Sequence, residues 1–331
     1  MRARGSKSRG SKSFLRACLL ALLACAGSAY AQTWPAKPIK LIVPYPPGGS
    51  ADILARSIGQ KLADGLGQSV VIDNRPGAGT AIGAEATAKS APDGYTIMLG
   101  TVSSHAINPA LNPGLKYDPV KDFAPVSLVA SIPFALLVHP SLPVRSVQEL
   151  VALAKTKPGK LDFSSAGTGT SNHLAGELFK SMTGTYMVHI PYRGSAPALN
   201  DLLAGQVSLM FDLVLTAQPH VKSGAARALA VTGLTRSAAL PGVPTVAESG
   251  VPGFEVSAWF GFFAPAGTPT AIVTALNAET VKAMRAPDLR ERLASQGAEA
   301  VSSTPEQFAA YVKEELAKWT RVVKASGMKA D

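Results

Sequence analysis

The stretch Ile39-Lys40-Leu41-Ile42-Val43-Pro44-Tyr45-Pro46-Pro47-Gly48-Gly49-Ser50-Ala51-Asp52 does most to limit what this chain can become. Five residues rich in β-formers run into a Pro/Gly turn, and apolar residues then recur at helical spacing at Ile53, Leu54, Ile58 and Leu62. The pattern predicts strand, tight loop and helix. Such a loop leaves the backbone N–H groups of Gly49, Ser50 and Ala51 free at a helix N-terminus, where partial positive charge and unpaired donors suit a carboxylate or phosphate. An ordinary βα turn with Ser50 as N-cap is the plainer reading of the same residues.

The alternation continues. Ser69 to Asn74 reads as a second strand, Arg75-Pro76-Gly77-Ala78-Gly79-Thr80 as a Gly-rich turn, 81–90 as a helix and 95–100 as a third strand ending in Thr101-Val102-Ser103-Ser104. This is the signature of an α/β fold with a parallel sheet and right-handed crossovers. The segment 106–124 reads as irregular. Residues 126–130 and 134–138 read as two strands, with Ser131-Ile132-Pro133 as a crossing into a second domain and the apolar run 254–263 as the return. Ser146-Val147-Gln148-Glu149 is a capping box. Ser165-Ala166-Gly167-Thr168-Gly169-Thr170-Ser171-Asn172-His173 follows a strand and precedes a helix, which makes it a second loop of the anion-receiving kind. Further βα units follow from Val188 to about residue 232. Helices are expected at 268–285, where Thr268-Pro269 supplies the cap and first-turn proline, at 288–295, and after Thr304-Pro305-Glu306-Gln307.

Residues 1–31 read as a targeting segment: a basic stretch (Arg2, Arg4, Lys7, Arg9, Lys12, Arg16), a short apolar run and an Ala29-Tyr30-Ala31 cleavage site. Leu22-Leu23-Ala24-Cys25 supports a competing lipoprotein reading, but Leu23 fits that signal poorly. Cleavage after Ala31 leaves 300 residues, and loss of the six basic side chains takes the net charge from +10 to +4. The high charge is therefore partly a targeting property, and no basic run interleaved with aromatics suggests nucleic acid. Both cysteines, Cys18 and Cys25, leave with the segment, so the exported chain has no disulfide, no thiol nucleophile and no thiolate metal site.

Catalytic patterns are weak. There is no Gly-x-Ser-x-Gly elbow, and the histidines at 105, 139, 173, 189 and 220 lack metal-ligand spacing. Gly77-Ala78-Gly79-Thr80-Ala81-Ile82-Gly83 misses the dinucleotide fingerprint by one residue and follows the second strand of its unit. An exported hydrolase using Ser171 and His173 is the rival from another class, with poor triad geometry. Asp52 either contacts a ligand amine or hydroxyl or stabilises the first helical turn. Asp212, within an apolar strand, either brackets a loop or faces the ligand. Arg75 and Arg193 either pair with carboxylates or are surface charges.

The loops 45–52, 74–79 and 166–174, with Pro191-Tyr192-Arg193-Gly194 and Val243-Pro244-Thr245-Val246-Ala247-Glu248, closely resemble the tripartite tricarboxylate transporter substrate-binding proteins, the Bug (TctC-like) family. The resemblance spans essentially all of the chain after residue 31. It implies a type II periplasmic binding fold, a Venus flytrap of two α/β lobes. The first lobe would be 32–132 and 258–331, the second 133–257. It implies a small carboxylate, a dicarboxylate or related acid, held by backbone amides, hydroxyls and water without catalysis, metal or cofactor. The candidate contacts are Tyr45, Gly49, Ser50, Ala51, Asp52, Gly77, Ser103, Ser165, Ala166, Thr168, Thr170, Ser171, His173, Arg193 and Asp212. It further implies a periplasmic monomer that presents its closed form to membrane permease subunits. An orphan sensor, or a binder of an amino acid or aromatic acid, is the alternative within the same fold.

Overall fold

The computed structural model describes residues 34–326. The expected targeting segment, with its Ala31 and Cys25 alternatives, lies outside the described residues. The body running from Lys37 onward carries every element discussed below. It begins as expected: β1 (Ile39–Val43), α1 (Ser50–Leu66), β2 (Val70–Asn74), α2 (Ala81–Ala88) and β3 (Thr96–Thr101). β1 pairs in parallel with both β2 and β3. α1 buries Leu54, Ala55, Ile58 and Leu62 on one stripe, at the spacing that directed the sequence reading.

Two expectations need correction. The irregular segment begins with a π turn (Ser103–Ile107) and the short α3 (Asn108–Leu111). The two strands expected at 126–130 and 134–138 are one strand, β4 (Phe123–Val138). Proline is tolerated inside it because the ladder changes partners there. Up to Pro133, β4 pairs with β9 (Ser257–Pro265) and the short β10 (Glu299–Ala300). From Phe134 onward it pairs with β7 (Leu209–Leu213) on one side and β8 (Arg227–Val231) on the other. The Phe134 amide, just past the proline, donates to Thr232 Oγ1 at 2.7 Å, and that hydroxyl donates to the Val256 carbonyl at 2.6 Å. Buried Thr232 thus ties together the two chain segments that pass between the halves of the sheet.

The second half follows the βα pattern: α4 (Val147–Thr156), β5 (Asp162–Ser165), α5 (Ser171–Thr183), β6 (Val188–Pro191), α6 (Ser195–Leu203), β7 and α7 (Val214–Lys222), with β5 parallel to β6 and β7. α8 (Thr270–Arg285), α9 (Pro287–Ser295) and α10 (Pro305–Ser326) complete the described chain. β9 is buried almost throughout, and Phe308 of α10 packs its ring on Trp259 and Phe263 of that strand. The sheet is mixed: β1–β3 are parallel in one half and β5–β7 in the other, while β4, β9 and β10 join antiparallel, and the loops at the C-terminal ends of the parallel strands put 44–50, 75–80, 165–170 and 191–194 at one crevice.

Candidate functional site

The crevice holds two adjoining cavities. The inner one, about 30 Å³, is lined by Gly49, Ser50, Ala51, Thr101, Ser171 and Ser195, with Phe134, Ala258 and Phe260 closing its floor. The outer one, about 290 Å³, is bounded by 76–80, by Ala166, Gly167, Thr168 and Thr170, and by 192–194. Tyr45, Pro46 and Ala166 border both.

Three helices start at the inner cavity. Their N-cap positions are Gly49 for α1, Thr170 for α5 and Gly194 for α6, and none receives a side-chain cap. The first helical residue of each is a serine, Ser50, Ser171 or Ser195, and all three line the inner cavity. Among the described residues, other helices also start without a side-chain cap, among them those at Ala81, Val214 and Thr270, but two carry one. Ser146 accepts from the Glu149 amide at the start of α4, and Thr304 accepts from the Gln307 amide while Gln307 returns the bond to the Thr304 amide at the start of α10. Three helix starts whose N-cap residues make no side-chain cap, meeting over hydroxyls and apolar walls, make a neutral-donor site for an anion, although at α5 the Ser171 amide is already taken by Ser103 Oγ.

The first loop is held from outside the cavity. Asp52 accepts from the Gly48 amide (3.1 Å), Arg56 Nε (2.9 Å) and Asn74 Nδ2 (3.1 Å), and Asn74 also donates to the Tyr45 carbonyl (3.0 Å). Burial alone would raise the Asp52 carboxyl, but the bonds from Arg56, Gly48 and Asn74 outweigh it and hold the group below the usual carboxylate range. Asp52 lines neither cavity, and its three bonds go to Gly48 of its own loop and to Arg56 and Asn74.

The second loop is held by neutral groups. Ser165 Oγ accepts from the Gly167 amide (3.0 Å) and meets His189 Nε2 at 2.6 Å. Asn172 Oδ1 accepts from the Ala166 (3.3 Å) and His173 (3.2 Å) amides. The Thr170 hydroxyl donates to the Gly167 carbonyl at 2.5 Å and lies 2.7 Å from Asn172 Oδ1. His173 Nδ1 accepts from the Gly169 amide (3.4 Å), its Nε2 faces Glu177 Oε1 at 3.9 Å, and its ring stacks on His189 with centroids 3.9 Å apart. Ser165 and His173 therefore brace the loop from behind rather than lining either cavity, and the His173 nitrogens are turned away from the base role that the hydrolase reading requires.

Other candidates fall where their loops put them. Tyr45 is half-buried and its hydroxyl meets Thr101 Oγ1 at 3.3 Å; burial pushes its phenol up, against hydrogen bonds with Ser103 and Thr101. Ser103 is fully buried in the π turn, and its Oγ accepts from the Ser171 amide at 3.1 Å, bridging the two halves. Gly77, with φ of 124°, Ala166, Thr168 and Thr170 border the outer cavity. Arg193 is exposed and is the one charged residue lining either cavity. Asp212 lies behind the first loop, outside both, and accepts from Thr216 Oγ1 at 2.6 Å.

The halves meet across the crevice at two glycines. A Cβ at Gly194 (φ 128°) would stand 2.2 Å from Pro46 Cγ, and one at Gly79 (φ 58°) 2.6 Å from the Thr168 carbonyl. Thr101, Asn172 and Ser195 were missed as cavity residues. Ser195 carried a usable signal, because Gly194-Ser195 repeats the small-residue helix start of Gly49-Ser50.

The profile of the tripartite tricarboxylate transporter family receptor matches residues 54–328. The chain belongs to that family. This receptor is 42% identical to Protein BugT of Bordetella pertussis over 311 residues, 94% of this chain and 95% of BugT. A Rhodopseudomonas palustris protein solved with adipate is 41% identical, covering 89% of this chain and 99% of that one with a TM-score of 0.87. MatC from the same organism, solved with bound malate, is 35% identical, covering 88% and 100%, with a TM-score of 0.84. The receptor has the two-lobed α/β fold of periplasmic binding proteins, as the resemblance implied.

Proposed function

We propose that this receptor captures a small dicarboxylate, without transforming it, and delivers it to permease subunits of a tripartite tricarboxylate-type transporter. The observation that carries the reading is the convergence of three helix N-termini without side-chain caps, each opening with a serine, on one cavity. One carboxylate occupies the inner cavity and supplies the missing caps, accepting from amides and hydroxyls of Gly49–Ala51 and Ser195 and from the Ser171 hydroxyl. The other extends into the outer cavity toward Arg193. The adipate and malate complexes of the two Rhodopseudomonas palustris relatives support a diacid.

The lobes are 32–132 with 258–331, and 133–257; the partner exchange within β4 at Pro133 supports this division. Closure brings Pro46 onto Gly194 and Gly79 onto Thr168. Residues 1–31 act as an export signal cleaved after Ala31, and the receptor works as a periplasmic monomer.

A thermal-shift screen of ligand-stripped protein against mono-, di- and tricarboxylates, amino acids and their amides tests the reading. A ligand at about 100 times its dissociation constant adds about 2.7 kcal/mol of stability. Hits confined to acids and lost on amidation support it; hits confined to neutral or cationic solutes refute it. The hit diacid and its half-amide then separate the two ends. Arg193→Gln weakens the diacid about tenfold, the equivalent of one charge-assisted hydrogen bond, and leaves the half-amide unchanged. Equal loss for both ligands removes Arg193 from the site.

A further inference from the structure

A third cavity, about 310 Å³, lies on the other side of Gly49 and Ser195 from the inner one. Asp212 and Thr216 line it, and a hydrogen-bonded chain runs from them back to the ligand cavity. Thr216 Oγ1 stands 2.6 Å from Asp212 Oδ2, 3.1 Å from the Leu213 carbonyl and 3.1 Å from Ser50 Oγ across the crevice. Asp212 is 1% exposed and Ser50 3% exposed, while Thr216 between them is half-buried, so the two ends of the chain are shielded from water.

Each hydroxyl has a single proton to give. With Asp212 ionised, Thr216 gives its proton to the carboxylate. Ser50 is then the donor to Thr216, and its own proton points away from the inner cavity. With Asp212 protonated, the carboxyl donates to Thr216 Oγ1 and the Thr216 proton turns to the Leu213 carbonyl. Ser50 is thereby released to donate into the inner cavity, where an anion accepts it.

We propose that Asp212 and Thr216 are positioning residues that set the direction of the Ser50 hydroxyl, so that capture of a carboxylate draws a proton from solvent onto Asp212. The proposal rests on the reading that the inner cavity receives a carboxylate. Burial pushes the Asp212 carboxyl up to about 7, against hydrogen bonds from Thr216 and the Leu213 amide, which puts the exchange within reach of neutral pH. In the sheet Asp212 lies opposite Ala135 of β4. Among the residues lining its cavity from the first loop, α6, α7 and the segment after α9, His220 is the one other titratable group. A carboxylate arriving beyond Ser50 adds like charge and raises the Asp212 carboxyl further, so affinity falls as pH rises through its titration.

The test is calorimetric titration with adipate, malate and succinate between about pH 6.5 and 8, in buffers of low and high ionisation enthalpy, where one linked proton changes affinity by up to about tenfold per pH unit. The wild-type protein is expected to bind about fivefold more weakly at the upper pH and to take up a fraction of a proton on binding. Asp212→Asn, whose amide donates to Thr216 at every pH, loses both the slope and the uptake. Thr216→Val reduces the slope to what direct repulsion between ligand and Asp212 sustains and Thr216→Ser restores it, while His220→Gln leaves it in place. A pH-independent affinity in the wild type, or uptake that survives Asp212→Asn, overturns the proposal. If none of the three acids binds at any pH, the capture reading fails by itself. The ligand-free arm then decides the relay: in infrared difference spectra against Asp212→Asn, the neutral carboxyl signal should fade through neutral pH in the wild type and at higher pH in Thr216→Val. A carboxyl ionised throughout that range, or a titration that Thr216→Val does not move, overturns the proposal.

Discussion

The two loops that face each other across the crevice present backbone to the same cavity and are braced by opposite chemistry. The first, 44–52, is pinned by an ionised carboxylate: Asp52 gathers Gly48, Arg56 and Asn74 on the side away from the ligand space. The second, 165–173, is pinned by hydroxyls, an amide and two stacked imidazoles. The difference teaches that residues selected for their chemistry can serve the site by holding it. A carboxylate placed in the cavity would repel an anionic ligand; placed behind the loop, it orients free amides toward that ligand. The neutral brace on the other side does the same with groups that Asn172 and Ser165 supply from the loop itself.

Each brace lies within its own half, and the two loops share one cavity only when the halves meet, so the largest effect is expected where the halves touch. Gly194→Ala forces a Cβ into Pro46 at a backbone angle that L residues rarely adopt. We expect a loss of at least about 100-fold in ligand affinity, about 2.7 kcal/mol, with a more open molecule by small-angle scattering. Unchanged affinity would mean that the loops bind without meeting. Gly49→Val separates binding from folding on the first loop alone. Gly49 has an extended backbone (φ −85°, ψ 172°), and a Cβ there meets nothing within 4 Å. Its unfolding free energy should stay within about 0.5 kcal/mol of wild type while affinity falls at least about tenfold, since added methyls occupy space between amide and ligand.

The braces themselves should differ in acid. Asp52→Asn is expected to cost about 1–2 kcal/mol, discounted because Arg56 is 55% exposed. The sign follows from the depressed folded-state pKa: the wild-type contribution is complete above the unfolded value of about 3.9 and disappears as pH falls through the lower folded value. Denaturant melts on the acid limb should therefore converge for wild type and Asp52→Asn below that range. Ser165→Ala removes the acceptor of the Gly167 amide and should cost about 1 kcal/mol, with no convergence on the same limb. Parallel acid limbs for both variants would erase the distinction between a charged and a neutral brace.

The local parts of this architecture were legible in the residues. β-rich runs ending in Pro/Gly turns marked the strands, the stripe at Leu54, Ile58 and Leu62 marked α1, and both anion-type loops stood out by their glycines and hydroxyls. Ser146 and Thr304 announced helix starts that the structure caps as expected. These features depend on neighbours within a turn or two, where spacing alone determines which groups meet. Side-chain direction was not legible. Asp52, Ser165 and His173 are chemically apt ligand contacts, yet Asn74 claims the first and His189 the other two, from strands that the sheet register brings alongside. The joining of two expected strands into β4 was equally hidden, because only β9, β7, β8 and Thr232 decide which acceptors a strand proline leaves unpaired.

By itself, then, the sequence determined an alternating α/β chain with anion-receiving loops, because periodicity and turn chemistry are short-range. Only the tertiary structure decided that residues 50, 171 and 195 open three helices onto one cavity, and that Ser50 reaches Thr216 across it. The meetings of Ser50 with Ser171, Ser195 and Thr216 join positions more than 100 residues apart, and they follow from strand order and closure, which no local spacing encodes.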